Sequence, residues 1–166
     1  MSDYDWTRFC KRIDVNSPAD IIYMTLATQA GLESWFLRTA EFTAPDKVIR
    51  RKNEFIKKDD THRWLWFGYN DETEERGTVL EANGTDLIKF TFSGTCTVTI
   101  TVKPEQGTTI VELWQENIPT DDKSKSSWHL GCATGWTFYL ANLKSVLEGG
   151  LDLRNKNEEL KRVVNS

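Results

Sequence analysis

The chain has 166 residues and a formal net charge of −4. This length fits one domain with one core, which we expect to span residues 1–166, with its main part over about 6–150 and a short extension over 151–166. The acidic balance argues against nucleic-acid binding, because a protein that follows a phosphate backbone requires a basic surface.

The composition sets further expectations about compartment and cofactors. The sequence has no apolar run long enough for a transmembrane helix and no signal-peptide core, so we expect a cytoplasmic protein without membrane insertion. Its cysteines, Cys10, Cys96 and Cys132, lack the paired spacing of a zinc site, which favours reduced thiols. The sequence contains seven tryptophans, and such a number of large rings either lines a cavity or fills a core.

The N-terminal part combines strand and helix patterns. Residues 6–15 alternate between apolar and polar side chains, which predicts a first strand. Ser17 is then predicted to cap a short helix, with Pro18 at its first position and Gly31 at its end. A second short helix is predicted over residues 31–37.

The middle of the chain is predicted to form strands joined by short connections. A strand over residues 38–43 precedes a basic segment over 47–58. This segment fits either a site for an anionic partner, or a solvated loop or short helix balanced by neighbouring carboxylates. Alternation then predicts five more strands, over residues 63–69, 76–82, 87–92, 96–102 and 109–117. Their connections are too short for crossovers, so we expect antiparallel pairing.

A long amphipathic helix is predicted over residues 126–148, with its first residue between 120 and 127 and its last within two positions of Glu148. Its apolar stripe consists of residues at helical spacing, Cys132, Trp136, Leu140, Leu143 and Leu147. Gly149 and Gly150 favour the left-handed conformation that closes a helix. A short closing helix is predicted over residues 156–164.

This order predicts an α+β fold, in which a curved antiparallel sheet of about seven strands wraps around the long C-terminal helix. It resembles the START-like (SRPBCC) superfamily of helix-grip proteins, which includes the birch pollen allergen. Within that superfamily the chain is similar to bacterial stand-alone members of the family named for the C-terminal domain of the activator of Hsp90 ATPase. The resemblance covers most of residues 6–148 and rests on Ser17-Pro18-Ala19, Trp35-Phe36, Gly77-Thr78-Val79-Leu80-Glu81, Phe90-Thr91-Phe92, Val111-Glu112-Leu113, Gly135-Trp136 and Leu143.

The resemblance implies a largely apolar cavity between the long helix and the sheet. The superfamily includes lipid and hormone carriers, cyclases and hydrolases, so the fold alone leaves the function open. The full-length Hsp90 activator has an N-terminal domain that carries much of its chaperone activity, and nothing in this sequence corresponds to that domain.

The predicted cavity brings together mostly aromatic side chains from the sheet, the short helices and the long helix. We expect its ligand-binding residues to be Trp35, Phe36, Trp64, Trp66, Phe90, Phe92, Gln115, His129, Cys132, Trp136 and Leu140. Gln115 is expected to point inward, where a buried amide requires a partner in the protein or on a ligand. The alternative is that these rings fill the core completely.

His129 and Cys132 lie three positions apart on one helical face. They fit a thiolate with its base, half of a metal site, or plain packing beside the cavity. Because the sequence lacks paired cysteines and carries few histidines, packing is favoured, and we expect no catalytic residue, no metal and no cofactor.

Three functions therefore remain open. The first is non-enzymatic binding of a hydrophobic or aromatic small molecule. The second is a protein-interaction module related to Hsp90 ATPase regulation, with a chaperone as its partner. The third is an enzyme that uses polar groups in the cavity. A monomer and a homodimer are compatible with each.

Overall fold

Seven antiparallel strands form one curved sheet in the computed structural model, which describes residues 3–164. The first elements in chain order are β1 (Phe9–Asp14), α1 (Ala19–Leu26), α2 (Gln29–Trp35), β2 (Thr39–Thr43) and β3 (Thr61–Leu65). They are followed by β4 (Glu74–Ala82), β5 (Leu87–Phe92), β6 (Cys96–Glu105) and β7 (Thr108–Glu116). The strand order is β1-β7-β6-β5-β4-β3-β2, so the two short helices connect the strands at opposite edges.

A long helix follows the sheet and consists of three consecutive parts. These are α3 (Asp122–Ser124), a π-helical segment (Lys125–Gly131) and α4 (Cys132–Leu147). The α+β fold with two short helices after β1 and a long C-terminal helix confirms the prediction. No helix in the described part of the chain is long and apolar enough to cross a membrane.

The concave face of the sheet carries a continuous row of buried side chains. Cross-strand pairing places Phe9 beside Gln115, Gln115 beside Val98, Val98 beside Phe90 and Phe90 beside Val79. All five side chains are buried, because period-two alternation turns every second residue toward the long helix. Gln115 is the polar member of this row.

The helix pair differs from the prediction at its two boundaries. Pro18, rather than Ser17, occupies the N-cap position of α1, and no side chain caps that helix. The first helix does not end at Gly31, because Gly31 lies inside α2, whose cap Thr28 accepts a hydrogen bond from the Gly31 N–H at 3.0 Å. A Cβ at Gly31 would lie 2.5 Å from the Thr25 carbonyl oxygen, so glycine permits the close contact of the two helices.

The strand predicted over residues 63–69 is shorter in the structure. β3 pairs with β2 and β4 only as far as Leu65, and Gly68 turns the chain with a φ of 85°. Trp66 therefore leaves the sheet, and it packs against the core from the β3–β4 loop.

The basic segment over residues 47–58 lies in the long connection between β2 and β3, outside any helix or named strand. Its Arg50 donates to the carboxylates of Asp60 at 2.8 Å and Glu54 at 2.6 Å. The Asp60 side chain is fully buried. The positive charge of Arg50 is thus balanced by carboxylates of the same connection, in agreement with the interpretation as a loop.

The bounds of the long helix confirm the prediction. The helix begins at Asp122, where Asp121 accepts a hydrogen bond from the Ser124 N–H at 3.0 Å, and α4 ends at Leu147, two residues before Gly149 with its φ of 80°. The π-helical part was not predicted. Its wider turns change the angular positions of the side chains before Cys132 relative to those after it.

The C-terminal extension is an anchored chain rather than the predicted helix over 156–164. The buried Arg154 donates to the carbonyl oxygens of Glu33 and Leu37, each at 2.9 Å, and pairs with Asp152 at 2.8 Å. Asn142 on α4 donates to the Asp152 carboxylate at 3.0 Å. These contacts fix the extension to the end of α2 and to the long helix.

Candidate functional site: an aromatic cleft beside the long helix

A cleft of about 1020 Å³ opens between the first half of the long helix, the β3–β4 loop and the end of β5. Aromatic rings form most of its lining, namely Phe36, Trp66, Tyr69, Phe92, Trp128, Trp136, Phe138 and Tyr139. The other lining residues are Thr73, Ser127, Gly131, Cys132, Thr134, Gly135, Val163 and Val164. None of the described residues in this lining carries a charge.

Three buried rings form the floor of the cleft. Phe36 follows α2, Phe92 ends β5 and Trp136 lies on the buried face of α4. The Trp136 ring lies 4.8 Å from the ring of Phe36 and 5.4 Å from that of Phe92. The floor thus joins a short helix, the sheet and the long helix.

The walls consist of partly exposed rings. Trp66 contacts Phe36 and Phe92 at 5.9 and 6.4 Å between ring centroids. Tyr139 packs against Phe36 at 4.9 Å, and burial raises its pKa to about 12, so its phenol is neutral at physiological pH. The walls therefore offer a large uncharged contact area.

Gln115 holds the floor in place from behind. Its Oε1 accepts a hydrogen bond from Trp136 Nε1 at 3.0 Å, and its Nε2 donates to the Trp128 carbonyl oxygen at 3.3 Å. The inward orientation expected from strand alternation is present, and the amide finds its partners in the protein. Gln115 positions Trp136 and the π-helical segment rather than lining the cleft.

His129 and Cys132 lie in different surroundings. His129 Nδ1 donates to the Trp6 carbonyl oxygen at 2.9 Å, and Nε2 accepts from the Tyr4 hydroxyl at 2.8 Å. Cys132 lines the cleft, 3.8 Å from the Ser93 hydroxyl, and burial raises the pKa of its thiol. A thiolate–imidazole pair does not form, because the π-helical turn directs His129 toward the N-terminal segment.

A model of the Activator of Hsp90 ATPase homolog 1-like protein family matches residues 16–148, which is most of the chain. The chain belongs to this family. The match confirms the resemblance found in the sequence, whereas a search of curated proteins gave no match.

Solved structures share the fold of this Hsp90-activator-like chain at low sequence identity. Protein SSP2350 from Staphylococcus saprophyticus superposes with a TM-score of 0.67 at 19% identity, over 89% of this chain and 96% of that one. The Aha1 dimer from Colwellia psychrerythraea gives 0.64 at 18% identity, over 86% and 97%. Protein NE0264 from Nitrosomonas europaea gives 0.67 at 13% identity, over 89% and 97%. At these identities the comparison establishes the fold alone.

In this family member the predicted site residues separate into two groups. The cleft brings together Phe36, Trp66, Phe92, Cys132 and Trp136. The others lie outside the cleft lining and are all buried, namely Trp35, Trp64, Phe90, Gln115, His129 and Leu140. The rings therefore both fill a core and border an open cleft.

Several lining residues were missed by the sequence analysis. Trp128 lies in the π-helical segment, where a regular helical period assigns the wrong face. Phe138 and Tyr139 flank the apolar stripe of α4, and their proximity to Trp136 was the available signal. The contribution of Val163 and Val164 depends on the course of the C-terminal extension, for which the local sequence has no signal.

No group of three or more His, Cys, Asp or Glu side chains within residues 3–164 is arranged to hold a metal ion. Glu75 on β4 has a partly buried carboxylate that lies beside the end of β5. Its Oε1 accepts a hydrogen bond from the Ser93 N–H at 2.8 Å, and burial raises its pKa.

Two stacked rings of β3 lie directly behind the floor. His62 and Trp64 are 3% and 1% exposed, and their ring centroids are 3.9 Å apart. Trp64 contacts Phe36 at 5.7 Å and Phe92 at 6.2 Å. Trp64 is therefore separated from the cleft by a single layer of rings, whereas the ring neighbours of His62 are Trp64, Phe42 and Phe90.

His62 is expected to make the protein less stable in mild acid. Burial lowers its pKa from 6.5 to about 4, so the unfolded chain binds a proton between these values that the folded chain does not. The contribution of neutral His62 to the free energy of unfolding is fully present above pH 6.5. It decreases as the pH falls to about 4, by about 3 kcal/mol in total at 1.36 kcal/mol for each pH unit. Urea unfolding of the wild type and of His62→Phe across this range measures the effect.

The difference between the two proteins isolates His62, because all other titrating groups are shared. We expect His62→Phe to lose stability less steeply than the wild type between pH 6.5 and 4. Parallel stability curves would show that His62 takes up a proton in the folded protein.

Proposed function

We propose that the protein binds a hydrophobic or aromatic small molecule in the cleft, without catalysing a reaction on it. The observation that supports this function is the combination of volume and lining. At about 1020 Å³ the cleft is at the upper end of ligand-site volumes, which are roughly 300–1,000 Å³. Its rings supply apolar contact area, and the polar groups that can orient a ligand include the side chains of Thr73, Ser127, Cys132 and Thr134 and the phenols of Tyr69 and Tyr139.

The test uses a glycine that lines the cleft. Gly135 lies on α4, and a Cβ built there meets no atom within 4 Å. Gly135→Phe is therefore expected to place a ring into the cleft while the helix remains intact, since most residues favour a helix more than glycine does. The exposed Ala141 lies on the same helix, and Ala141→Phe provides the matched control.

Binding is measured with the neutral fluorescent probe N-phenyl-1-naphthylamine. We expect the wild type and Ala141→Phe to bind it with micromolar affinity, and Gly135→Phe to bind it at least tenfold more weakly because the ring occupies the cleft. Circular dichroism checks that each variant is folded. Wild-type protein that binds no probe at about 100 μM, or a Gly135→Phe variant that binds as the wild type does, would refute the proposal.

Regulation of Hsp90 is the second candidate function. The description of the matching family names the activator of Hsp90 ATPase, and the Colwellia structure is described as an Aha1 dimer. The test is the ATPase rate of Hsp90 with and without the protein. Stimulation that persists in Gly135→Phe would assign the activity to a surface other than the cleft.

A further inference from the structure

Two buried nitrogen atoms behind the cleft floor have no hydrogen-bond partner in the described structure. They are Trp64 Nε1 and His62 Nδ1, and they belong to the two stacked rings of β3. An unpaired buried polar group costs about 1–3 kcal/mol, so a native protein retains few of them. Two in adjacent rings indicate a place for a polar group that comes from outside the chain.

The hydrogen-bonding roles of the two atoms are opposite. Trp64 Nε1 can only donate. His62 Nε2 lies 3.3 Å from the Thr91 carbonyl oxygen, which can only accept, so Nε2 carries the ring proton. With the ring kept neutral by burial, Nδ1 presents a lone pair and can only accept. The pair therefore offers one donor and one acceptor.

A hydroxyl group has both complementary roles, because it can accept from the Trp64 N–H and donate to His62 Nδ1. A carboxylate lacks the proton that Nδ1 requires, and an ammonium group lacks the lone pair that the indole N–H requires. The surroundings also disfavour an anion. Glu75 pairs with Trp64 across β3 and β4, and the described cleft lining contains neither Lys nor Arg.

We propose that Trp64 and His62 form a hydroxyl subsite behind the floor of the cleft, and that the ligand is an uncharged aromatic or alicyclic alcohol. This inference rests on the proposed function and specifies its ligand class. Phe36 and Phe92 contact Trp64 and also line the cleft, so these are the rings that the ligand must displace to reach the subsite. The apolar part of the ligand then lies against Trp136, and the hydroxyl takes the place of any water held by the pair.

The experiment compares 2-naphthol, 2-methylnaphthalene and 2-naphthoate, which share one ring system and differ in their substituent. By isothermal titration of the full-length protein we expect 2-naphthol to bind about tenfold more tightly than 2-methylnaphthalene, since each net hydrogen bond contributes severalfold. We expect 2-naphthoate to bind more weakly than either. In Trp64→Phe and in His62→Phe, the preference for the hydroxyl is expected to fall to about twofold or less.

Trp66→Phe is the matched control, because Trp66 lies in the cleft wall and does not belong to the stacked pair. We expect it to weaken 2-naphthol and 2-methylnaphthalene alike and to leave their ratio near that of the wild type. A measurement on the wild type covers the case in which the β3 variants fail to fold. In ¹H–¹⁵N spectra the indole resonance of Trp64 should shift with 2-naphthol much more than with 2-methylnaphthalene.

The outcomes separate the two proposals. Equal affinities for 2-naphthol and 2-methylnaphthalene, or a preference that survives in both β3 variants, would overturn the hydroxyl subsite and assign the pair to an internal water. The cleft would then remain the binding site for an apolar ligand. Absence of binding by all three compounds and by N-phenyl-1-naphthylamine would overturn both proposals.

Discussion

Trp136→Ala is expected to lower the free energy of unfolding by about 3 to 5 kcal/mol. The side chain is 3% exposed and packs between the rings of Phe36 and Phe92. Alanine would leave a cavity where three elements meet, and the neighbouring rings can relax only partly into it. The substitution also removes the hydrogen bond from Trp136 Nε1 to Gln115 Oε1, so a buried amide oxygen loses its partner.

Urea unfolding followed by circular dichroism measures this loss, and Trp114→Ala is the matched control. Trp114 lies on β7 between the inward-facing Leu113 and Gln115, so its ring lies on the other face of the sheet, where Arg8 packs over it at 5.5 Å. We expect the control to cost about 1 kcal/mol, because only part of its surface is buried. Equal losses in the two variants would show that the long helix does not use Trp136 as its central contact with the sheet.

Arg154→Met is expected to cost about 3 kcal/mol, because hydrogen bonds to a charged group contribute about 1.5 to 3 kcal/mol each. Arg154 is 7% exposed and binds the Leu37 and Glu33 carbonyl oxygens at the end of α2. These carbonyls have no partner further along the helix. Methionine keeps much of the side-chain volume but leaves both carbonyls and the Asp152 carboxylate without this donor.

The control for Arg154→Met is Lys156→Met. Lys156 also pairs with Asp152, at 2.9 Å, but its side chain is half exposed, so we expect a loss of at most about 1 kcal/mol. Thermal unfolding separates the two variants. If Arg154→Met unfolds at the same temperature as Lys156→Met, the extension contributes no more to stability than an exposed ion pair does.

Much of the fold follows from local patterns that the sequence displays directly. Residues of β5, β6 and β7 alternate with a period of two, and residues of α4 repeat with the helical period, because each of these elements has one buried face. The boundaries that differ depend on contacts between elements. The local sequence around Gly31 predicts the end of a helix, but this glycine permits the close contact between α2 and α1. A glycine that ends a helix and a glycine at a close helix contact have the same local sequence signal.

The site was less predictable than the fold. The inward orientation of Gln115 follows from alternation, but its two partners lie on the long helix and depend on how the π-helical turn rotates Trp128. Trp66 and Trp64 share a face in an extended strand, so their separation requires knowledge that β3 ends at Leu65. The hydrogen-bonding deficit of His62 and Trp64 emerges only when all neighbours are in place.

The pairing of β1 with β7 has a consequence for biosynthesis. Phe9 pairs with Gln115, so the first strand to leave the ribosome joins the sheet beside the last. Translation proceeds at about 5 to 20 residues per second, so β7 is synthesised several seconds after β1. During that time the apolar residues Phe9 and Ile13 of β1 cannot pack into the core. Native contacts of such long sequence separation slow folding. The sheet is therefore completed only after β7 has been synthesised, and until then Phe9 and Ile13 of β1 have no partner strand.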